Sequence, residues 1–542
     1  MHGLMMDMPL LVSSLIRHAD RWHGDTEIVS KTVEGGMHRY AYSEAHKRAR
    51  RLAKALGALG AGMHDRVATL AWNGYRHFEI YYAVAGSGAV IHTINPRLFP
   101  EQIAYIANHA EDKFVFFDIT FAPLIEKLVP QLKTVKGYVA MTGRAHMPKE
   151  KIPGLLCYEE LVEAQDDDYE WPSFDDRTGA CLCYTSGTTG NPRGVLLQHR
   201  TTIIHAYAAS LPDVFCLSAR EVVLPVVPMF HVNAWALPYC CPLAGAKMVL
   251  PGQHLDGESL YQLFESEEVT LSAGVPTVWL GLLNYMKQEK LRFSTLKRVV
   301  IGGSACPPAM IRILQEDYGL EVRHAWGMTE MSPLGTFAVL KAKHAKIDKE
   351  ARYAIQAKQG FPIFGVDMKI VDQDGSELPR DGKAFGDLMV RGPWIISGYF
   401  KGEGGDPLRD GWFPTGDVVT IDPEGYMQIT DRSKDVIKSG GEWISSIELE
   451  NIAVAHPAIA EAAAIGVRHP QWDERPIIVA VKKPGGKVSK EELLRFFEGK
   501  VAKWWMPDDV VFVAELPHTA TGKLSKLSLR QQFKDYKLSS AA

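Results

Sequence analysis

Between Tyr184 and Gly194 the chain reads Tyr-Thr-Ser-Gly-Thr-Thr-Gly-Asn-Pro-Arg-Gly, and seven of these eleven residues are Gly, Ser or Thr. That composition suits an anion. Glycine lets the backbone take φ > 0 and come close to a ligand. Successive N–H groups can then converge on phosphate oxygens, with hydroxyls as further donors. The preceding apolar run, Ala180-Cys181-Leu182-Cys183, reads as a buried strand, and Val195-Leu196-Leu197 reads as another. The usual nucleotide loop instead ends in Gly-Lys-Ser/Thr and opens a helix. Here the expectation is a hairpin-like lid over phosphates. A solvated turn would have the same composition, and composition alone does not choose between them.

The order of the eleven residues is more specific. It resembles the signature of the adenylate-forming superfamily, which includes acyl-CoA synthetases, luciferases and peptide-synthetase adenylation domains. The likeness continues along nearly the whole chain. It implies that Thr185, Ser186, Gly187, Thr188, Thr189, Gly190 and Arg193 hold ATP, with Thr185 also serving catalysis and the metal. Arg193 stands where the family usually has Lys, which retains charge but changes geometry. Pro228-Met229-Phe230-His231-Val232-Asn233-Ala234-Trp235 matches the position that lines the carboxylate and acyl group. By resemblance His231 is catalytic and touches the acid, and Trp235 walls the acyl pocket. Relatives that activate amino acids carry an Asp near His231, because a buried ammonium needs a counter-charge. Its absence argues against an amino acid substrate. Gly302-Gly303-Ser304-Ala305 would border adenine and the acyl group, with Gly302 on the acyl side and Gly303 and Ser304 on the nucleotide side.

His324-Ala325-Trp326-Gly327-Met328-Thr329-Glu330 resembles the family's aromatic-Gly-Met-Thr-Glu motif. His324, Ala325, Trp326, Gly327 and Thr329 would then line ATP, Gly327 and Pro333 would also meet the acyl group, and Glu330 would hold Mg²⁺, an ion that prefers carboxylate and phosphate oxygens. Trp326 replaces the more common Tyr and keeps an aromatic face. Asp417, in Trp412-Phe413-Pro414-Thr415-Gly416-Asp417, would accept hydrogen bonds from both ribose hydroxyls. Arg432 would bind ribose or the α-phosphate. Lys434, with Asp435, matches the family's pivot. Lys438, Gly440, Gly441, Glu442, Trp443 and Glu474 fall where relatives contact CoA. Lys523, in Pro517-His518-Thr519-Ala520-Thr521-Gly522-Lys523, has the context of the adenylation lysine that bridges carboxylate and α-phosphate. Each motif has a plainer reading. His231 and Trp235 could be core residues, Gly302–Ala305 a strand-to-helix turn, Asp417 a turn aspartate, residues 431–435 a charged linker, and Lys523 a solvated lysine.

Taken together the motifs imply an AMP-forming acid:CoA ligase using Mg²⁺, ATP and CoA. Val222–Trp235, Ala273–Leu280 and Gly302–Ala305 resemble the medium- and long-chain fatty acid branch and, within it, the bacterial ligases for 3-methylmercaptopropionate, a short thioether acid derived from dimethylsulfoniopropionate. The alternative is a medium- or long-chain fatty acid substrate. Outside that reaction stand a luciferase-like oxidase, which would need oxygen in place of CoA, and a non-catalytic nucleotide-binding protein.

The elements that must position these residues follow from periodicity. Ala45, Ala49, Leu52, Ala53, Leu56 and Leu59 predict a helix over 43–60 capped by Ser43. Strand candidates at 66–71, 89–93 and 114–117 alternate with helical segments at 78–85 and 100–109, as in a parallel sheet covered by helices. Strands are also expected at 222–227, 247–250, 271–273 and 298–301. An acidic stretch, 165–178, reads as an exposed linker. Frequent Gly, Asp and Pro over 360–430 suggest a β subdomain. Helices at 447–454, 490–502 and 527–536 with strands at 462–466 and 476–482 suggest a small α+β domain. The expectation is therefore an α/β fold: an adenylation domain over 1–431, a hinge at 432–435 and a mobile C-terminal domain over 436–542.

The 542 residues carry 46% hydrophobic and 23% charged residues with a formal net charge of -4, which gives no reason to expect nucleic acid partners. Seven scattered cysteines fit free thiols in a reducing, cytoplasmic setting. No apolar run reaches the ~20 residues of a membrane span. The N-terminus lacks the basic and apolar regions of a signal peptide. Relatives often form homodimers, which leaves a homodimer open here.

Overall fold

The computed structural model of the protein describes residues 1, 3–185, 191–439, 442–518 and 524–538. It divides into two compact units, one of residues 1–367 and 391–413, the other of 368–390 and 414–542.

The first unit contains two sheets. A seven-stranded sheet has the spatial order Leu155–Cys157, Gly137–Ala140, Asp112–Phe117, Arg66–Leu70, Val90–Thr93, Gly179–Tyr184 and Gly194–Gln198. Its first six strands run parallel, and only Gly194–Gln198 is antiparallel. The helix Pro100–Ala110 packs on it through Ile103, Ala104, Ile106 and Ala107. Proline suits the first helical position, where its missing N–H leaves no hydrogen bond unmade. A nine-stranded sheet holds Glu321–Gly327, Arg298–Ile301, Leu271–Gly274, Val222–Pro225, Lys247–Leu250 and Glu27–Lys31 as parallel neighbours in that order, with antiparallel strands added at both edges. Trp279, Leu282, Leu283 and Met286 of the helix Pro276–Glu289 fill the layer against it.

Two expectations need correction here. The helix Tyr42–Ala58 forms on the predicted apolar face, but Ser43 lies inside its first turn and caps nothing; Ala41 is the capping position. The acidic stretch 165–178 is no free linker. Trp171 lies where a side chain on Gly86 would clash, its indole donates to His46, and the buried Asp176 pairs with Arg200. Apolar and ionic anchoring of single residues overrides a polar average.

In the second unit Asp367–Val371, Phe385–Arg391, Phe413–Ile421 and Met427–Arg432 build a four-stranded sheet, the expected β subdomain. A five-stranded sheet follows, centred on the long hairpin Ile459–His469 and Asp473–Lys482. Helices Ser446–Val454 and Lys490–Phe497 pack on one face through Leu449, Ala453, Leu493 and Phe497. Lys526–Gln532 packs on the other through Leu529. No helix among the described residues is long and apolar enough to cross a membrane.

Candidate functional site

The hairpin expected around residues 185–193 is present at its base. Tyr184 stands opposite Gly194, and the Thr185 N–H donates to the Arg193 carbonyl at 2.9 Å. Ser186, Gly187, Thr188, Thr189 and Gly190 lie outside the described residues. Gly194 has to be glycine: a Cβ there would come within 2.9 Å of Phe400 Cβ. Below the loop the Tyr184 hydroxyl lies 2.6 Å from His109 Nδ1, whose Nε2 is 3.2 Å from Glu403.

The strand Glu321–Gly327 delivers Trp326 and then Thr329 and Glu330, which sit in a tight turn, only 8% and 7% exposed. The Tyr399 hydroxyl donates to Glu330 Oε1 at 2.9 Å, and the Arg193 guanidinium lies 4.7 Å over the Tyr399 ring. One aromatic side chain thus links the cation of the phosphate hairpin to the carboxylate expected to hold metal. It also accounts for arginine at 193, because a planar guanidinium stacks on a ring as a compact ammonium does not. Sequence reasoning missed Tyr399, and nothing local to it signals the contact. Among the described residues no three His, Cys, Asp or Glu gather as a metal site. The buried Glu330 carboxylate offers hard oxygen ligands, which fits Mg²⁺ carried in on a triphosphate.

Gly327 is held against Pro333, whose carbonyl accepts from Met328 N–H at 3.0 Å; a side chain on Gly327 would overlap that carbonyl. His324 is 1% exposed. Its Nδ1 lies 3.2 Å from the Ala357 carbonyl and its Nε2 accepts from the Cys306 N–H, which describes a neutral ring. Burial lowers its pKa to about 4. The imidazole is therefore occupied, and what His324 can offer a nucleotide is backbone.

The residues expected to wall the acyl group come from an unusual stretch. Val232, Asn233, Ala234, Trp235 and Ala236 all have positive φ, from 33° to 70°. For L-residues this left-handed conformation costs roughly 1–2 kcal/mol each, so surrounding contacts must impose it. Exposed His231 precedes the turn. Trp235, 7% exposed, lays its ring along the Gly302–Gly303 backbone: a Cβ on Gly302 would meet it at 3.2 Å and the Ala325 carbonyl at 2.8 Å. The structure thus brings Trp235, Gly302, Gly303 and Ala325 together, while Ser304 lies exposed beyond them.

In the second unit Asp417 is 2% exposed and ion-paired with Arg432 at 2.8 Å. The two residues expected on ribose and phosphate here meet each other. Residues 431–435 are not a bare charged run. Asp431 is 1% exposed and accepts from the backbone and hydroxyl of Ser446. Lys526 pairs with Glu450 at 2.7 Å and donates to the Ser446 hydroxyl. Burial raises the pKa of both Asp431 and Glu450, and Lys526 opposes that. Asp435 pairs with Arg530 at 2.8 Å, beside the exposed Lys434. Glu474 accepts from the Lys438 N–H at 2.9 Å and fills the space a Gly466 side chain would take, so its carboxylate joins strands. Strands Ile437–Ser439 and Glu442–Ile444 pair antiparallel. Gly440, Gly441 and the side chains of Glu442 and Trp443 lie outside the described residues, as does Lys523.

Residues 15–400 match the family model described as AMP-binding enzyme, and residues 448–523 match that of the AMP-binding enzyme C-terminal domain. The chain is 56% identical to a 3-methylmercaptopropionyl-CoA ligase of Ruegeria lacuscaerulensis over 99% of both chains. It is 50% identical to a medium-chain-fatty-acid–CoA ligase of Ectopseudomonas oleovorans over 100% of this chain and 99% of the other. ATP-bound MatB from Rhodopseudomonas palustris superimposes with a TM-score of 0.81 at 25% identity, covering 97% of this chain and 100% of that one. With the family model covering most of its length and relatives matched end to end, the chain belongs to the AMP-binding enzyme family.

Proposed function

We propose that the protein is an AMP-forming acid:CoA ligase for a short apolar carboxylate, with 3-methylmercaptopropionate as the favoured substrate. The observation that carries the short-chain reading is the Trp235 ring lying along Gly302–Gly303, which closes an apolar wall directly beside the motif residues. The names of the relatives support both this acid and medium-chain fatty acids.

In this reading the acid's carboxylate attacks the α-phosphorus of ATP and pyrophosphate leaves. Arg193 and the loop hydroxyls neutralise the departing phosphates, and Thr329 contacts the α-phosphate. Glu330 and Thr185 would hold Mg²⁺, which supplies charge neutralisation to the triphosphate. Lys523 supplies the fixed cation at the attacking carboxylate, an interaction of the kind worth about 3–4 kcal/mol in a transition state. Asp417 accepts from the ribose hydroxyls once Arg432 turns to phosphate. The C-terminal domain, 436–542, then pivots over 432–435 about Lys434, withdraws Lys523 and presents Lys438 and Gly440–Trp443 to CoA. The thiolate attacks the acyl-adenylate and AMP leaves. Cytoplasmic location and a homodimer complete the proposal. The resident pools of ATP and CoA suit the first, and the habit of relatives suggests the second.

The test is CoA-dependent AMP formation across straight-chain acids from short to long, with 3-methylmercaptopropionate included. A kcat/KM maximum at the thioether or its short isosteres supports the proposal. A maximum at long chains would replace the substrate. AMP release without CoA would overturn the ligase reading itself.

A further inference from the structure

The left-handed turn that carries Trp235 has a single polar side chain inside it. Asn233 is 2% exposed, and its amide makes three contacts. Its Oδ1 accepts from the thiols of Cys181 and Cys183, each at 3.3 Å, on the strand that leads into the phosphate hairpin. Its Nδ2 donates to the Tyr239 hydroxyl at 2.9 Å, on the helix Leu237–Ala244. Upstream the same segment is held by Asn73, whose Oδ1 accepts from Met229 N–H at 2.7 Å and whose Nδ2 donates to the Pro225 and Val227 carbonyls. Downstream, the Tyr82 hydroxyl donates to the Pro238 carbonyl. Both approaches to the turn are therefore fixed by other residues, and the turn itself is fixed by Asn233.

This arrangement has a consequence for the substrate. Trp235 is two residues from Asn233, and no side-chain hydrogen bond among the described residues keeps it over Gly302–Gly303. Its position is set by a backbone conformation that alanine, valine and tryptophan disfavour. Remove the amide and the segment can relax toward right-handed φ, which carries the indole away from the glycines. We propose that Asn233 is a positioning residue that sets the acyl-length limit by locking Trp235 closed. The proposal rests on the reading of Trp235 as the wall of the acyl pocket.

The experiment compares kcat/KM for decanoate with that for 3-methylmercaptopropionate in the full-length enzyme and three variants. Trp235→Ala tests the wall. Asn233→Gly tests the lock without adding strain, since glycine accepts left-handed φ. Tyr239→Phe removes one partner of the amide and keeps the packed ring, so it remains informative if Asn233→Gly does not fold. The expected ratio rises at least about ten-fold in Trp235→Ala and in Asn233→Gly, the scale on which one pocket group discriminates chain length. In Tyr239→Phe it rises about three-fold, as for one hydrogen bond. If Trp235→Ala shifts the ratio while Asn233→Gly and Tyr239→Phe only lower both values in proportion, the lock is overturned and the wall stands. If Trp235→Ala leaves the ratio unchanged, the wall reading falls, and the lock with it.

Discussion

The residues around Glu330 and those around Asp431 are held by opposite means. In the first unit the fixing contacts are neutral or shielded: a tyrosine hydroxyl on the Glu330 carboxylate, an arginine flat on that tyrosine, and the buried Asn233 amide within the turn that carries Trp235. Near Asp431 they are ion pairs whose carboxylates are largely covered, Asp417–Arg432, Glu450–Lys526 and Asp435–Arg530. A neutral hydrogen bond in a packed setting has one geometry and no long-range substitute. An ion pair can exchange partners, and a charged ligand can compete for it. The first arrangement suits groups that must not move between two half-reactions, and the second suits groups that must.

The comparison can be broken most severely at the residue that is supposed to leave. Lys523→Ala is expected to lower pyrophosphate-forming turnover by on the order of 10²–10³ while sparing thioester formation from supplied acyl-adenylate. Equal loss in both half-reactions would remove the division of labour.

The neutral side is probed by His205, which is fully buried, accepts the Leu334 N–H at 3.1 Å and packs against Trp394. Burial lowers its pKa to about 3. A histidine so depressed contributes stability that is present above its unfolded value near 6.5 and is lost as pH falls toward 3. Relative to His205→Gln, the wild type should lose about 2 kcal/mol between pH 7 and pH 5. Thermal unfolding of both proteins across that range measures it. A constant gap would mean the ring takes a proton in place.

Tyr399→Phe should act more locally. Loss of one hydrogen bond to a carboxylate is worth about 1.5–3 kcal/mol at most, so the Mg²⁺ concentration for half-maximal adenylation should rise about ten-fold, with the KM for the acid unchanged. A variant that shifts the acid's KM instead would detach Tyr399 from Glu330.

The smallest effect belongs to the ionic side. Asp435→Asn should destabilise the second unit by about 1 kcal/mol at low salt, and 0.5 M salt should remove only part of the difference, because the pair with Arg530 is mostly covered. Chemical denaturation at two ionic strengths reads it. A difference that salt leaves untouched would make this region as fixed as the one around Glu330.

Much of this was legible in the sequence. Apolar strands flanking a Gly/Ser/Thr loop gave the base of the hairpin, and the order His324–Glu330 singled out the segment that carries the buried carboxylate. What was not legible, the strand Glu321–Gly327 included, depends on contacts made through space. Tyr399 lies more than two hundred positions beyond Arg193 in a stretch without periodicity. The turn at 232–236 consists of Val, Asn, Ala, Trp and Ala, of which only Asn is enriched at positive φ, so no residue type announced it. Residues 431–435 looked like a linker because their partners, Ser446 and Arg530, come from later helices. The pairing of Glu474 with a backbone N–H was equally hidden, since a carboxylate's partner cannot be read from its neighbours.

The close approach of Phe400 to Gly194 also bears on how the chain is made. The hairpin emerges early, yet the segment that lies against it, with Tyr399 under Arg193 and Glu403 on His109, is roughly two hundred residues further on. At about 5–20 residues per second, that is roughly 10–40 s of translation during which the nucleotide loop has no floor. The packing against Gly194 and Arg193 is thus deferred until about three quarters of the polypeptide has been made, and a truncated product ending before Tyr399 would carry the signature without that support.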